Sequence, residues 1–357
     1  MVALIMAGGA GTRFWPKSKE NHPKQLLQII GTGTMLQNTV RRLLPIIPPE
    51  KVFIVCKQAH QQEIARQLPA VPQENIIVEP QGKNTAPCIG LAALYIQRRF
   101  GDEVMIVLPA DHLIEAEDNF RQTLLDAAQI AAEKEVLITI GIKPTFPATG
   151  YGYIQFSDET VSAGTATARR VKTFAEKPNL ETAKVFLASG DFLWNSGIFV
   201  WRVSVIREQF EEHLPHLNDG LREIAEYLNT PAAAEIITRV YQQIKSISID
   251  YGVMENARNV LVLPANFGWN DLGSWDEVYK LLPKDKDGNA VGEGEHVLLN
   301  SSGCLIEVAG KTVAAVGLHD LIIVETEEAL LLCPRDSAQE VKDVVDLLKR
   351  RKKTNLL

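Results

Sequence analysis

The chain has 357 residues, 46% hydrophobic and 23% charged, with a formal net charge of −7. That length predicts roughly two domains and an ordinary globular protein with a large core. The acidic balance excludes a general attraction to nucleic acid or to an anionic membrane, so cations that matter should be local. No run approaches the ~18 apolar residues of a membrane helix. The short apolar N-terminus has no basic region before it and reads as a first strand rather than a signal peptide. Cys56, Cys88, Cys304 and Cys333 lie far apart without metal-ligand spacing. They read as buried thiols of a cytoplasmic protein.

In chain order, short apolar runs at 2–6, 52–56, 76–78, 104–108 and 136–140 read as strands buried on both faces, hence a parallel sheet. Helical stripes lie between them. Leu36, Val40, Leu43 and Leu44 share one face; so do Phe120, Leu124, Ala127, Ala128 and Ala131, with Asp118 as N-cap. This alternation predicts an open α/β sheet with its ligand beyond the strands' carboxyl ends. There the Gly8 turn, Glu79-Pro80 and Pro109-Ala110-Asp111 should converge. From about residue 145, aromatic and glycine-rich segments interrupt the pattern and read as insertions: Gly150-Tyr151-Gly152-Tyr153, Phe174-Ala175-Glu176-Lys177-Pro178 and Trp194-Asn195-Ser196-Gly197. The first domain is expected over 1–285, ending in a charged, turn-rich linker at 284–289. Short runs at 296–299, 304–308, 312–316, 321–324 and 330–333 then predict a small β-solenoid or sandwich. A last helix is expected from Ser337, with Glu340 completing a capping box and Val341, Val344, Val345 and Leu348 as its buried stripe.

The first strand runs into Gly8-Gly9-Ala10-Gly11-Thr12-Arg13, followed by Pro23-Lys24-Gln25. Glycines let backbone N–H groups approach a polyphosphate, and Arg13 and Lys24 would neutralise it. A P-loop is excluded, because no Gly-Lys-Ser/Thr follows at the required spacing. A dinucleotide fingerprint fails too: Phe14 stands at the third glycine, and the second strand is followed by Lys57 rather than an acid. Asp111 directly follows a buried strand, and Asp271 lies in a turn held by Trp269, Gly273 and Trp275. Two such carboxylates plus substrate phosphate oxygens would bind magnesium; each could equally be a turn residue. His112 suits a supporting role better than ligation of a hard cation. Asn84 and Thr85 could read a base or ribose, or cap a helix. Pro178 favours an extended Lys177, which would send Glu176 and Lys177 to opposite faces as a solvated edge pair, unless a local kink at Pro178 relaxes that. No nucleophile constellation stands out. A reaction that needs none is nucleotidyl transfer to a sugar phosphate, whose phosphate, with a second pKa of about 6, is already mostly ionised.

Taken together these segments resemble the sugar-1-phosphate nucleotidyltransferase family, and within it the mannose-1-phosphate guanylyltransferases. The resemblance adds Glu79-Pro80 with Asn84-Thr85-Ala86-Pro87, Thr149 to Ile154, Trp194 to Phe199, Ile249-Asp250-Tyr251-Gly252-Val253-Met254-Glu255 and Gly268 to Trp275. It covers nearly the whole chain. Lys83 departs from an arginine frequent in the base loop; charge is kept but a bidentate contact would be lost. The resemblance implies a Rossmann-like open mixed sheet, and a left-handed β-helix with a terminal helix over 290–357 that serves dimer contacts. It implies that Gly8, Gly9, Gly11, Thr12, Arg13 and Lys24 hold the triphosphate of GTP. Pro80, Asn84 and Thr85 would lie by the guanine, and Asp111 and Asp271 would share Mg2+. Gly150, Glu176 and Asn195 would hold the hydroxyls of mannose 1-phosphate and Lys177 its phosphate, with Arg13, Lys24 and Lys177 as the catalytic cations. The expected protein is a cytoplasmic homodimeric enzyme making GDP-mannose and pyrophosphate, with no nucleic-acid or membrane partner. A longer form of the family carries an isomerase domain, an activity not expected here. A relative using another base or sugar, or an inactive regulatory homologue, are the alternatives.

Overall fold

The computed structural model of the chain describes residues 1–9 and 11–357. It forms two compact units: Met1–Gly8, Val40–Ala110 and Ile114–Trp269 in the first, and Gly9–Thr39, Asp111–Leu113 and Asn270–Leu357 in the second. The strands up to residue 270 are β1 (Val2–Met6), β2 (Val52–Lys57), β3 (Ile76–Glu79), β4 (Val104–Pro109), β5 (Leu113–Ile114), β6 (Leu137–Ile142), β7 (Tyr153–Ala163), β8 (Ala166–Ala175), β9 (Phe192–Arg202), β10 (Val260–Ala265) and β11 (Trp269–Asn270).

The first unit is built on a nine-stranded sheet in the order β3-β2-β1-β4-β9-β6-β10-β8-β7. Five of its strands are the apolar runs expected from the sequence, with bounds that differ by at most two residues at an end; β6 starts one residue later than expected and runs two further. β1 pairs in parallel with β2 and β4, so the order reverses beside β1, where open α/β sheets bind ligands. The sheet is mixed rather than parallel throughout. β9, read as an insertion, lies at its centre and runs antiparallel to both β4 and β6. Trp194 to Gly197 are therefore core strand, and Trp201 is fully buried. The register slips on β9: Thr139 faces Phe199, but Gly141 faces Asn195. Gly197, at φ 69°, takes the left-handed conformation this bulge needs.

Helix Thr85–Phe100 buries Ile89, Leu91, Leu94 and Ile96 in the first unit's core. Helix Glu117–Glu133 begins earlier than Asp118 would set, because Ala116 O already accepts from Phe120 N. Asp118 thus sits in the first turn, where its charge still suits the helix dipole. Leu44 falls after helix Met35–Leu43 and is exposed.

The second unit carries β12 (Ala290–Val291), β13 (His296–Leu299), β14 (Leu305–Glu307), β15 (Val313–Val316), β16 (Leu321–Glu325) and β17 (Leu330–Pro334). β12, β14 and β16 stack in parallel, as do β13 and β15, giving two faces of a coil; β17 closes one face antiparallel. The segment at 284–289 is a closed turn. Asp285 accepts from the Asp287 and Asn289 backbones, and buried Asn289 bonds Ser301 O and Cys304 N. Arg335, bonded to Asp276 and Asp320, starts a 3-10 turn, Arg335–Glu340. Regular α geometry begins only at Val341, so the Ser337–Glu340 capping box does not form. Val341 and Val345 are buried, but Val344 is exposed. Three cysteines are buried and Cys333 is only half-buried. No described helix is long and apolar enough to cross a membrane.

Because β9 is central and Trp201 has no exposed surface, Trp201→Ala should cost about 3–5 kcal/mol of stability. Urea unfolding reads this; a loss below about 1 kcal/mol would remove Trp201 from the core.

Candidate active site

Six residues expected to bind phosphate or metal line one cavity of about 280 Å3 in the second unit: Gly11, Thr12, Arg13, Lys24, Asp111 and Asp271. The cavity wall starts at Gly11, at φ 58°, followed by a 3-10 turn Thr12–Phe14. A Cβ on Gly11 would come within 2.5 Å of Lys24 Cβ and 2.9 Å of Lys24 N, so only glycine fits. Phe14 anchors the turn in this unit's core, its ring 5.0 Å from that of Trp275. Trp275 Nε1 donates to Trp15 O, and Trp15 Nε1 to Leu356 O. Ala10 lies outside the described residues. Gly9 accepts from Gln25 Nε2 and has open space where a Cβ would stand.

Lys24 is the cavity's buried cation, its side chain 5% exposed. Its Nζ lies 2.9 Å from Asp111 Oδ2 and donates to Asp271 O at 2.7 Å. Burial alone would raise Asp111; the Lys24 ammonium and His112 outweigh it and hold the carboxyl below its ordinary value. Asp111 remains 34% exposed, whereas Arg13 is exposed at the rim. Among the described residues no group of three or more His, Cys, Asp or Glu is placed to hold a metal ion.

The sugar residues gather in the first unit. Glu176 and Asn195 meet across Gly152, where an added Cβ would come within 2.4 Å of Glu176 Oε2 and 3.3 Å of Asn195 Cβ. Gly150, the glycine expected here, has no atom within 4 Å of such a Cβ. Lys177 is not extended: at φ 48° it turns back, and its Nζ bonds Glu176 Oε1. The left-handed conformation brings to one side two side chains that an extended backbone would separate. Glu176 is 11% and Lys177 60% exposed. Asn195 Nδ2 donates to Asp250 Oδ1 at 2.8 Å. Burial, then the Glu176 charge, push Asp250 up to about 6 against the pull of Asn195 and Lys177.

The base loop leaves β3 at Glu79. Asn84, at φ 70°, caps helix Thr85–Phe100 by accepting from Thr85 N. Thr85 Oγ1 accepts from Ile249 N at 2.7 Å. Both side chains therefore hold the loop, and Pro80 is exposed at its start. Burial pushes Glu79 up to about 7, against hydrogen bonds from Tyr241 and the Lys83 backbone. Burial, with Glu79 adding to it, pushes the Cys56 thiol up to about 12. Sequence reasoning gave Asp250, Gly152 and Glu79 no role. A signal existed for Asp250, an acid beside Ile249 and ahead of the buried run Gly252-Val253-Met254.

A nucleotidyl transferase family model matches residues 2–288, and a MannoseP isomerase/GMP-like beta-helix domain model matches residues 294–348. The xanthan biosynthesis protein XanB of Xanthomonas campestris pv. campestris is 39% identical over 352 residues, 98% of this chain and 73% of that protein. A mannose-1-phosphate guanylyltransferase of Escherichia coli is 37% identical over 357 residues, 99% of this chain and 75% of that protein. A crystal structure named mannose-1-phosphate geranyltransferase, from Thermus thermophilus, matches with a TM-score of 0.85 at 34% identity, covering 98% of this chain and 99% of that one. With a family model over most of its length and relatives of this identity along nearly all of it, the chain belongs to the nucleotidyl transferase family and is a nucleotidyltransferase carrying a C-terminal β-helix domain.

Proposed function

We propose that the enzyme transfers GMP from GTP to mannose 1-phosphate, giving GDP-mannose and pyrophosphate by direct in-line attack on the α-phosphorus. The observation that carries this reading is the cavity of Gly11, Thr12, Arg13, Lys24, Asp111 and Asp271, a site for a polyphosphate and a hard cation without a nucleophile. The names of relatives such as the Escherichia coli guanylyltransferase point to the base and the sugar.

The attacking phosphate is mostly dianionic at neutral pH, with a second pKa of about 6, so no general base is required. Catalysis then rests on positioning and on charge neutralisation. Arg13, exposed at the cavity rim, suits the departing pyrophosphate. Lys177, mostly exposed beside Glu176, suits the phosphate of the incoming sugar. Glu176 and Asn195 offer hydrogen bonds to its hydroxyls. Asp111 and Asp271 supply hard oxygen donors in one cavity, and two carboxylates completed by substrate phosphates fit Mg2+. When bound there, the metal would supply positive charge on the phosphate oxygens. A cytoplasmic homodimer is part of the same proposal; the exposed apolar residues Val297, Leu299 and Val316 on the coil support the dimer.

Asp111→Asn and Asp271→Asn should each lower turnover by about 10²–10³, the scale of losing one electrostatic group. Asp111→Asn should also destabilise the fold, because it leaves buried Lys24 without its carboxylate partner, so its turnover is measured on the folded fraction. Activity should vanish in chelator and return with magnesium. Full turnover of either variant at ordinary magnesium would contradict the assignment. Lys177→Ala should lower kcat with mannose 1-phosphate by a similar ~10²–10³ and leave the KM for GTP nearly unchanged. Weakened GTP binding with intact use of the sugar phosphate would move Lys177 to the nucleotide.

A further inference from the structure

We propose that Asp250 is a positioning residue for the hexose: it fixes the Asn195 amide so that Asn195 presents an N–H donor to a sugar oxygen. This rests on the sugar site assigned above and adds a residue to it.

An asparagine amide has two ends of nearly equal size, an acceptor oxygen and a donor nitrogen, and recognition depends on which end faces the ligand. Here three partners decide. Gly197 N donates to Asn195 Oδ1 at 3.0 Å, and Thr139 Oγ1 donates to the same atom at 3.1 Å. Asp250 Oδ1 accepts from Nδ2 at 2.8 Å. The backbone is held as well, with Asn195 N donating to Gly152 O at 2.8 Å. An ionised carboxylate only accepts, so a flipped amide would set oxygen against oxygen. With its Oδ1 accepting twice and one Nδ2 hydrogen on Asp250, Asn195 keeps one N–H for a ligand.

Asp250 is itself held by structure made elsewhere. It opens a π-helical turn, Asp250–Met254, a form often found at functional sites. The residues before it are bound to the base loop: Ile247 N donates to Lys83 O and Ala86 N to Ile247 O, both at 3.1 Å, and Ile249 N donates to Thr85 Oγ1. The carboxyl is kept there against the unfavourable neighbourhood of Glu176. What it touches in return is Asn195.

The test is steady-state kinetics on the full-length enzyme, with mannose 1-phosphate and GTP varied separately. Asp250→Ala should raise the KM for mannose 1-phosphate about tenfold, the effect of roughly one hydrogen bond, with the KM for GTP changed less than about twofold. Asp250→Asn, which still offers an oxygen to Asn195, should stay within about threefold of wild type. The double variant Asp250→Ala, Asn195→Ala should be no worse than Asn195→Ala alone, because both remove one function. Additive losses, an equal rise in the KM for GTP, or an Asp250→Asn variant as poor as the alanine would each overturn the proposal. If the alanine variant fails to fold, Asp250→Leu, close in size and without an acceptor, takes its place. An Asn195→Ala variant with unchanged KM for mannose 1-phosphate would instead remove the sugar site on which the proposal rests.

Discussion

A buried lysine organises the second unit. Lys24 has almost no solvent access, and its ammonium is satisfied by the Asp111 carboxylate and the Asp271 carbonyl, 5.3 Å from the Phe14 ring centroid. A cation so placed must be compensated, because a buried charge left without a partner is costly, although the partial exposure of Asp111 softens that cost. The need ties together three segments far apart in sequence: the glycine turn, the residue after β4 and the turn after β11. Close approach of the turn to Lys24 in turn demands glycine at position 11. The same pairing keeps Asp111 ionised although burial opposes it, which leaves a charged, partly exposed oxygen donor.

In the first unit a different constraint operates. A bulge in β9 at Asn195–Gly197 aims one amide out of the sheet's centre, and Gly152 leaves room for the Glu176 carboxylate beside it. Lys177 reaches that carboxylate only because its backbone is left-handed. The group is made of the residue before β7, the two residues after β8, the bulge within β9 and a π turn. Rigid elements thus position the hydrogen-bonding groups, and the exposed ammonium of Lys177 is the adaptable member.

The parallel strands were legible because strands buried on both faces are written as continuous apolar runs, as in Val2–Met6 and Leu137–Ile142. The coil was legible from the even spacing of its strands. β9 was not, because its aromatic and glycine-rich sequence reflects a bulge whose register is decided by the strands on either side. That position 152 must be glycine to leave room for the Glu176 side chain is tertiary information that the local sequence does not carry. Pro178 restricts Lys177 and argued for an extended backbone, yet Lys177 stands at φ 48°. Asn84 and Thr85 were recognised as polar groups by the base loop, and the local sequence did not show that Asn84 Oδ1 accepts from the helix cap and Thr85 Oγ1 from Ile249 N. The phosphate-binding reading of Gly8 and Arg13 came from the glycine turn and its cation, whereas that of Pro80 came from the resemblance, since nothing in its local sequence dictates a ligand.

The central claim is transfer of a guanylyl group to mannose 1-phosphate, and it is tested most directly by pyrophosphate release across a panel of nucleotides and sugar phosphates. Guanine offers one carbonyl acceptor and two N–H donors on a single edge, and a site pairing with them leaves buried polar atoms unmatched by other bases, at about 1–3 kcal/mol per group. With mannose 1-phosphate as acceptor, GTP should exceed ATP and UTP in kcat/KM by at least about tenfold, the effect of ~1.4 kcal/mol. Equal use of GTP, UTP and dTTP would contradict the guanylyltransferase account while leaving the nucleotidyltransferase family assignment intact.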